Sequence, residues 1–164
     1  MVSSVDRLFD QVVGPLVTGE ADVREVIAFM MRLGLLAPRQ TCPGCQGSMK
    51  LTRLGRSQDG WTWSCTSGHT ARRVSVRTGS WYADSKVTLK KCLHLTYLWA
   101  EGNILAKTAA RICGISRNVV GRLWGKVRSM LQEWLTKHPY PKLGAPGGIV
   151  EADESSFRHK RRYH

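Results

Sequence analysis

Thr41-Cys42-Pro43-Gly44-Cys45 and Cys65-Thr66-Ser67-Gly68-His69 are the two stretches that decide the fold of this chain. The first is a metal knuckle, Cys-x2-Cys, in which Pro43 and Gly44 set a tight turn and let backbone N–H groups face the thiolates. The second offers Cys65 and His69. Two turns that each supply two ligands to one tetrahedral ion make a zinc ribbon, with Cys42, Cys45, Cys65 and His69 as the predicted ligands. Four ligands fill the tetrahedron, so the predicted Zn²⁺ is structural and not catalytic. Cys-x3-His is the less standard half of the set, which makes His69 the ligand that the pattern specifies least. Between the pairs, residues 49–54 and 61–65 alternate as strands, and Val74 with Val76 continue the alternation as a third. A unit of roughly forty residues buries too little apolar surface to fold alone, so the metal is expected to contribute folding energy.

Outward from the ribbon, residues 1–40 read as helical. Val5, Leu8, Phe9, Val12 and Val13 fall at helical spacing, and Gly14-Pro15 is expected to end that run. Asp22 with Glu25 fits a capping box that opens a second helix, whose apolar stripe is Val23, Val26, Ile27, Met30 and Leu33 and whose stop is Gly34. On the other side, Ser85 reads as the N-cap of a helix over 86–100. Cys92 and Cys113 sit in apolar helical patterns and read as buried thiols, and His94, His138, His159 and His164 have no metal-like companions.

Residues 103–135 have the grammar of a helix-turn-helix. Ala109 and Ala110 permit close helix approach, Gly114 permits a left-handed turn, Ile115 plugs the junction and Ser116 caps the next helix. In that helix Val120, Leu123, Val127, Leu131 and Trp134 are predicted to be buried, while Arg117, Asn118, Arg122, Lys126 and Arg128 point elsewhere. Arg and Asn near the start of a second helix suit major-groove readout, Arg to guanine and Asn to adenine. The plainer reading is a helical hairpin with a solvated basic face. On the last ribbon strand Arg73, Ser75 and Arg77 share one face by alternation, flanked by Trp61 and Trp63 on the strand before. That face either lies along phosphates or is a solvated edge that blocks aggregation. Gly121 and Gly125 cost the helix roughly 1 kcal/mol each relative to alanine, a cost that close backbone approach to DNA would account for.

The charge reads either as a solvated basic surface kept for solubility or as the mark of a polyanionic partner. The formal net charge is +13, and residues 41–164 hold 21 of the 25 bases and only seven of the 12 acids. Lys and Arg in such excess neutralise phosphates and release counterions, although charge alone does not separate DNA from RNA. No apolar run approaches the ~20 residues that a membrane helix needs. The start of the chain lacks a basic segment followed by an apolar one, so a secretion signal is not expected. An intracellular setting follows, in which paired cysteines bind metal more often than they form disulfides.

Residues 137–147, rich in Pro and Gly, read as a linker. After it comes Gly148-Ile149-Val150-Glu151-Ala152-Asp153-Glu154-Ser155-Ser156-Phe157, with Lys160-Arg161-Arg162-Tyr163 beyond. Alternation puts Glu151 and Asp153 on one face of a strand. On composition alone that is more often an ordinary exposed edge; with a third convergent acid it would be a divalent-metal site.

The order of these motifs resembles the N-terminal half of Merlin-type DDE transposases. It runs from Cys-Pro-x-Cys through Trp63-x-Cys65, then Arg77-Thr78-Gly79-Ser80-Trp81-Tyr82, the helix-turn-helix and Val150-Glu151-Ala152-Asp153-Glu154-Ser155. The resemblance covers about residues 22–164. It implies that the zinc ribbon and helix-turn-helix bind element ends, and that Asp153 is the first acid of a catalytic triad on the first strand of an RNase H-like domain. The family commonly has a fourth cysteine where this chain offers His69. Its second and third acids would lie past His164, and Asp59, Asp84, Glu101 and Glu133 cannot replace them by position. The chain as it stands is therefore expected to be inactive alone, and Mg²⁺ or Mn²⁺ to be needed only with a complete catalytic domain.

The expected fold class is thus α+β in several modules: N-terminal helices (1–40), a zinc ribbon (41–80), a helical region with the helix-turn-helix (85–136), the linker (137–147) and a truncated start of the RNase H-like domain (148–164). The expected function is sequence-specific, zinc-dependent binding of double-stranded DNA at transposon ends or related sites. Residence would be nuclear in a eukaryote and cytoplasmic otherwise, with self-association open and no membrane or small-molecule substrate. Two alternatives stand beside it: a piece of an active cut-and-paste transposase, and a zinc-ribbon module that binds RNA or protein without sequence readout.

Overall fold

Phe9–Val13 forms a single π-helical turn, and α1, Gly14–Thr18, follows it directly. The expected break at Gly14-Pro15 is absent. Pro15 occupies the first turn of α1, where a helix has no use for its missing N–H. The computed structural model describes residues 9–19, 21–67 and 72–139. Val5, Leu8, His69 and residues 140–164, with Glu151 and Asp153, lie outside them.

Helix α2, Val23–Arg32, starts where Asp22 Oδ1 accepts the Arg24 N–H at 3.1 Å. It ends in a Schellman turn: Gly34 takes φ +70°, Leu35 N–H donates to Met30 O at 2.9 Å and Gly34 N–H to Met31 O at 3.1 Å. Val26, Ile27, Phe29 and Met30 are buried. Leu33, expected on that stripe, is 55% exposed because it stands at the cap, where the chain leaves the helix, and Phe29 supplies buried surface in its place.

Three antiparallel strands follow in the order β1-β2-β3: Lys50–Arg53, Trp61–Ser64 and Arg73–Ser75. Trp63 pairs with Leu51 on one side and Val74 on the other, and Ser64 with Lys50 and Arg73. Paired residues point the same way and neighbours along a strand point oppositely. Trp61 and Trp63 therefore share the apolar face with Leu51 and Val74, while Arg73 and Ser75 lie on the other. The tryptophans do not flank the basic face as the sequence suggested; Trp63 is buried, and the Arg24 guanidinium from α2 sits 5.4 Å from the Trp61 ring centroid.

Helix α3, Leu89–Ala100, is followed by α4, Ala106–Cys113, and α5, Arg117–Lys137. The start of α3 falls at Thr88, three residues after the expected Ser85 cap. The reason lies in Arg77: its Nη1 donates to Ser85 O at 2.8 Å and its Nη2 to Val87 O at 2.8 Å, so the carbonyls that would open an earlier helix are taken. Ser85 Oγ instead accepts the Val87 N–H in a local turn.

One hydrophobic core runs through the sheet region and the helices. It joins Cys42, Met49, Trp63 and Val76 to Val26, Ile27, Met30, Leu89, Leu93, Val120 and Leu123. The fold is a small α+β arrangement of five α-helices and one three-stranded sheet among the described residues. The chain divides after Met130 into two compact units. The buried side of α5 is Val120, Leu123, Trp124 and Val127. Trp124 was not expected there; its Nε1 donates to Leu95 O at 3.1 Å. Leu131 and Trp134, expected to be buried, belong to the second unit: Leu131 is half-buried, and Trp134 is 52% exposed and stacks on His138 at 4.5 Å.

Candidate metal centre and nucleic-acid face

The knuckle closes as its residues dictate. Cys42 N–H donates to Gly47 O at 2.8 Å and Gln46 N–H to Cys42 O at 2.8 Å, with Gln46 at φ +57°. That turn aims the Gly44 N–H at Cys42 Sγ, 3.4 Å away. Strand β2 then carries Cys65 back to the knuckle. The sulfurs of Cys42, Cys45 and Cys65 all lie within 4.8 Å of one another, and Cys45 Sγ is 3.6 Å from Cys65 Sγ. Cys42 is fully buried, Cys65 half-buried and Cys45 exposed.

The three thiols share charge unequally. Backbone N–H groups of Cys45 and Gly44 hold the Cys42 pKa below the ordinary thiol value. At Cys65 the Ser67 N–H works in the same direction, but withdrawal from solvent and the neighbouring thiols of Cys45 and Cys42 outweigh it, and its pKa rises. Three cysteine sulfurs this close together could hold a metal ion between them. Arg72 crosses over Gly44, with its Nε 3.0 Å from where a Cβ on Gly44 would stand, which brings a cation near the same cluster. The fourth predicted ligand, His69, lies outside the described residues. Cys92 and Cys113 are buried in the helices, as their pattern indicated.

The predicted nucleic-acid residues part company. Arg77 is only 2% exposed, and its guanidinium is committed to the interior. Nε donates to Asp59 Oδ2 at 2.6 Å and Nη2 to Asp59 Oδ1 at 2.6 Å, and the carbonyls of Ser85 and Val87 take its remaining bonds. It joins the β1–β2 loop to the segment before α3, and it cannot touch a nucleic acid from there. Strand β3 ends at Ser75, so the alternation that grouped Arg77 with Arg73 does not extend to it. Arg73 itself is exposed.

The other five lie on α5 but do not share one face: Lys126 lines a groove with Asp84 and Lys86, and Arg128 a separate one with Trp99, Ile104 and Trp124. Arg117, Asn118, Arg122, Lys126 and Arg128 are all exposed, on the helix whose apolar side enters the core. Gly114 makes the turn before it with φ +57° and ψ +50°, and Ser116 Oγ accepts the Val119 N–H at 3.4 Å. Arg117, Asn118, Gly121 and Arg122 line one surface groove with Ala106 at the start of α4. Lys126 Nζ contacts Asp84 Oδ2 at 2.9 Å. A Cβ on Gly121 or Gly125 would meet nothing within 4 Å, so no contact within the described residues requires either glycine. Lys86, which the sequence did not single out, is exposed beside Arg122 and Lys126. Its only signal was a positive charge before a helix. No described helix is long and apolar enough to cross a membrane. No family model, curated protein or solved structure matches the chain.

Proposed function

We propose that this chain is a transposase-derived, zinc-dependent protein that binds double-stranded DNA sequence-specifically, with the first turns of α5 as its reading element. The observation that carries the reading is the exposed row Arg117, Asn118 and Arg122 on a helix whose other face is locked into the core. A rigid helix that presents a fork donor and an amide from its first turns matches what base edges in the major groove offer. Arg73, Lys126 and Arg128 add phosphate contacts, and the strong basic excess gives long-range attraction.

Zn²⁺ fits the thiol cluster. Zinc–sulfur bonds of about 2.3 Å place tetrahedral sulfurs roughly 3.8 Å apart, close to the 3.6 Å between Cys45 and Cys65. Cys42, Cys45 and Cys65 would hold it, with His69 as the fourth ligand that the sequence offers. The ion would fix the knuckle against β2 and take no part in chemistry. The transposase lineage, and Asp153 as the first acid of a strand-cleaving site, rest on the motif order in the sequence.

A duplex selected from a random pool by the intact protein provides the test. Arg117→Ala is expected to reduce the preference for that duplex over a scrambled one by about 1–3 kcal/mol, roughly five- to 150-fold, while retaining non-specific binding. If Arg117→Ala, Asn118→Ala and Arg122→Ala all leave the preference unchanged, α5 is not the reading element.

A further inference from the structure

Between the sheet and α3, the chain carries Lys86 to a surface groove of about 530 Å³. Arg122 and Lys126 line the same groove from α5, with the half-buried Val87 and Val119 and the buried Leu123 as its apolar part and Asp84 as its single acid. We propose that this groove seats the phosphodiester backbone of the bound duplex. Lys86 is a phosphate contact outside the reading helix, and Asp84 restrains Lys126 until a phosphate replaces it. The inference rests on the duplex-binding reading above.

Three observations place a strand here. First, three cations face one acid, and the acid is already matched to Lys126. Their ion pair is exposed, with 44% of the Lys126 side chain and 85% of the Asp84 side chain in solvent. Such a pair is weak in water, so a phosphate carrying a full charge can displace the carboxylate.

Second, the backbone on both sides of Lys86 is anchored. Arg77 binds Ser85 O and Val87 O, and Gln58 Nε2 also donates to Ser85 O at 2.9 Å. The buried Arg77–Asp59 pair thus makes a rigid base from which Lys86 projects, which reduces the ordering cost of a contact. Third, Arg122 belongs both to this groove and to the one lined by Arg117 and Asn118. A strand held here lies next to the reading positions.

The experiment measures binding of the intact chain, Lys86→Ala and Asp84→Asn to the selected and the scrambled duplex across a range of salt. Loss of one phosphate contact should flatten the dependence of log K on log salt by about 0.9 and weaken both duplexes alike, by roughly five- to ten-fold near 0.1 M salt. Asp84→Asn should tighten both duplexes by a few-fold. An unchanged salt slope in Lys86→Ala, a loss confined to the selected duplex, or unchanged or weaker binding by Asp84→Asn would each overturn the assignment. These failures are separable from that of the broader reading: if the intact chain binds no duplex, the DNA-binding reading itself fails. If Arg117→Ala loses its preference while Lys86→Ala is silent, only the groove is misassigned.

Discussion

Arg77 and Asp59 show how far burial can redirect a residue. A guanidinium out of water is tolerated only when its donors are met, and here two carboxylate oxygens and two main-chain carbonyls meet them. Asp59→Ala would leave that cation in the interior with only the two carbonyls. The expected loss is about 3–5 kcal/mol of stability, read as a lower denaturation midpoint. Nothing near Arg77 in the sequence announces this partner, because Asp59 is 18 residues away and the two meet only when the β1–β2 loop closes. The cysteine spacing, by contrast, was legible because a knuckle is local: Cys42, Gly44 and Cys45 meet within one turn.

At the scale of the element, α5 carries two demands that conflict. Its apolar side must pack, and Val120, Leu123, Trp124 and Val127 do so. Its exposed side carries Gly121, where a Cβ would meet nothing, so helix propensity alone favours alanine there. Gly121→Ala is therefore expected to stabilise the free protein by about 0.5–1 kcal/mol in thermal or urea denaturation. If the glycine serves close backbone approach, the same variant should bind duplex DNA several-fold more weakly in a titration. Stabilisation with unaltered binding would remove that role. Periodicity was a sound guide to this helix up to Val127 and misled beyond it, because Leu131 and Trp134 continue the apolar spacing after the packing of the first unit has ended. The start of α3 was misplaced for a related reason, since the carbonyls near the Ser85 cap were claimed by a side chain from the sheet.

For the whole molecule, the shared core has a thermodynamic consequence. Met49, Trp63 and Val76, in and beside the three-stranded sheet, pack in one cluster with residues of α2, α3 and α5. Removing a bound metal should therefore loosen the helices as well as the knuckle. Metal analysis is expected to give about one Zn²⁺ per chain. On titration with a chelator, thiol labelling of the cysteines and loss of helical ellipticity should follow one coincident transition. Thiol labelling that is complete while ellipticity remains intact would show instead a thiol cluster and sheet that fold apart from the helices.

The sequence by itself determined what neighbouring residues settle among themselves: the thiol knuckle, the three short strands, the capped start of α2, the left-handed turn at Gly114 and the exposed basic residues of α5. The knuckle, cap and turn depend on contacts within a few residues, and the strands pair with their neighbours in sequence, so composition and spacing suffice. Only the tertiary structure decided which residues the core would claim. It drew Arg77 inside against Asp59, turned Trp61 and Trp63 away from Arg73, and left Leu33 and Trp134 in solvent. Local pattern marked the apolar stripes, but burial at these positions was set by what packs from elsewhere in the chain.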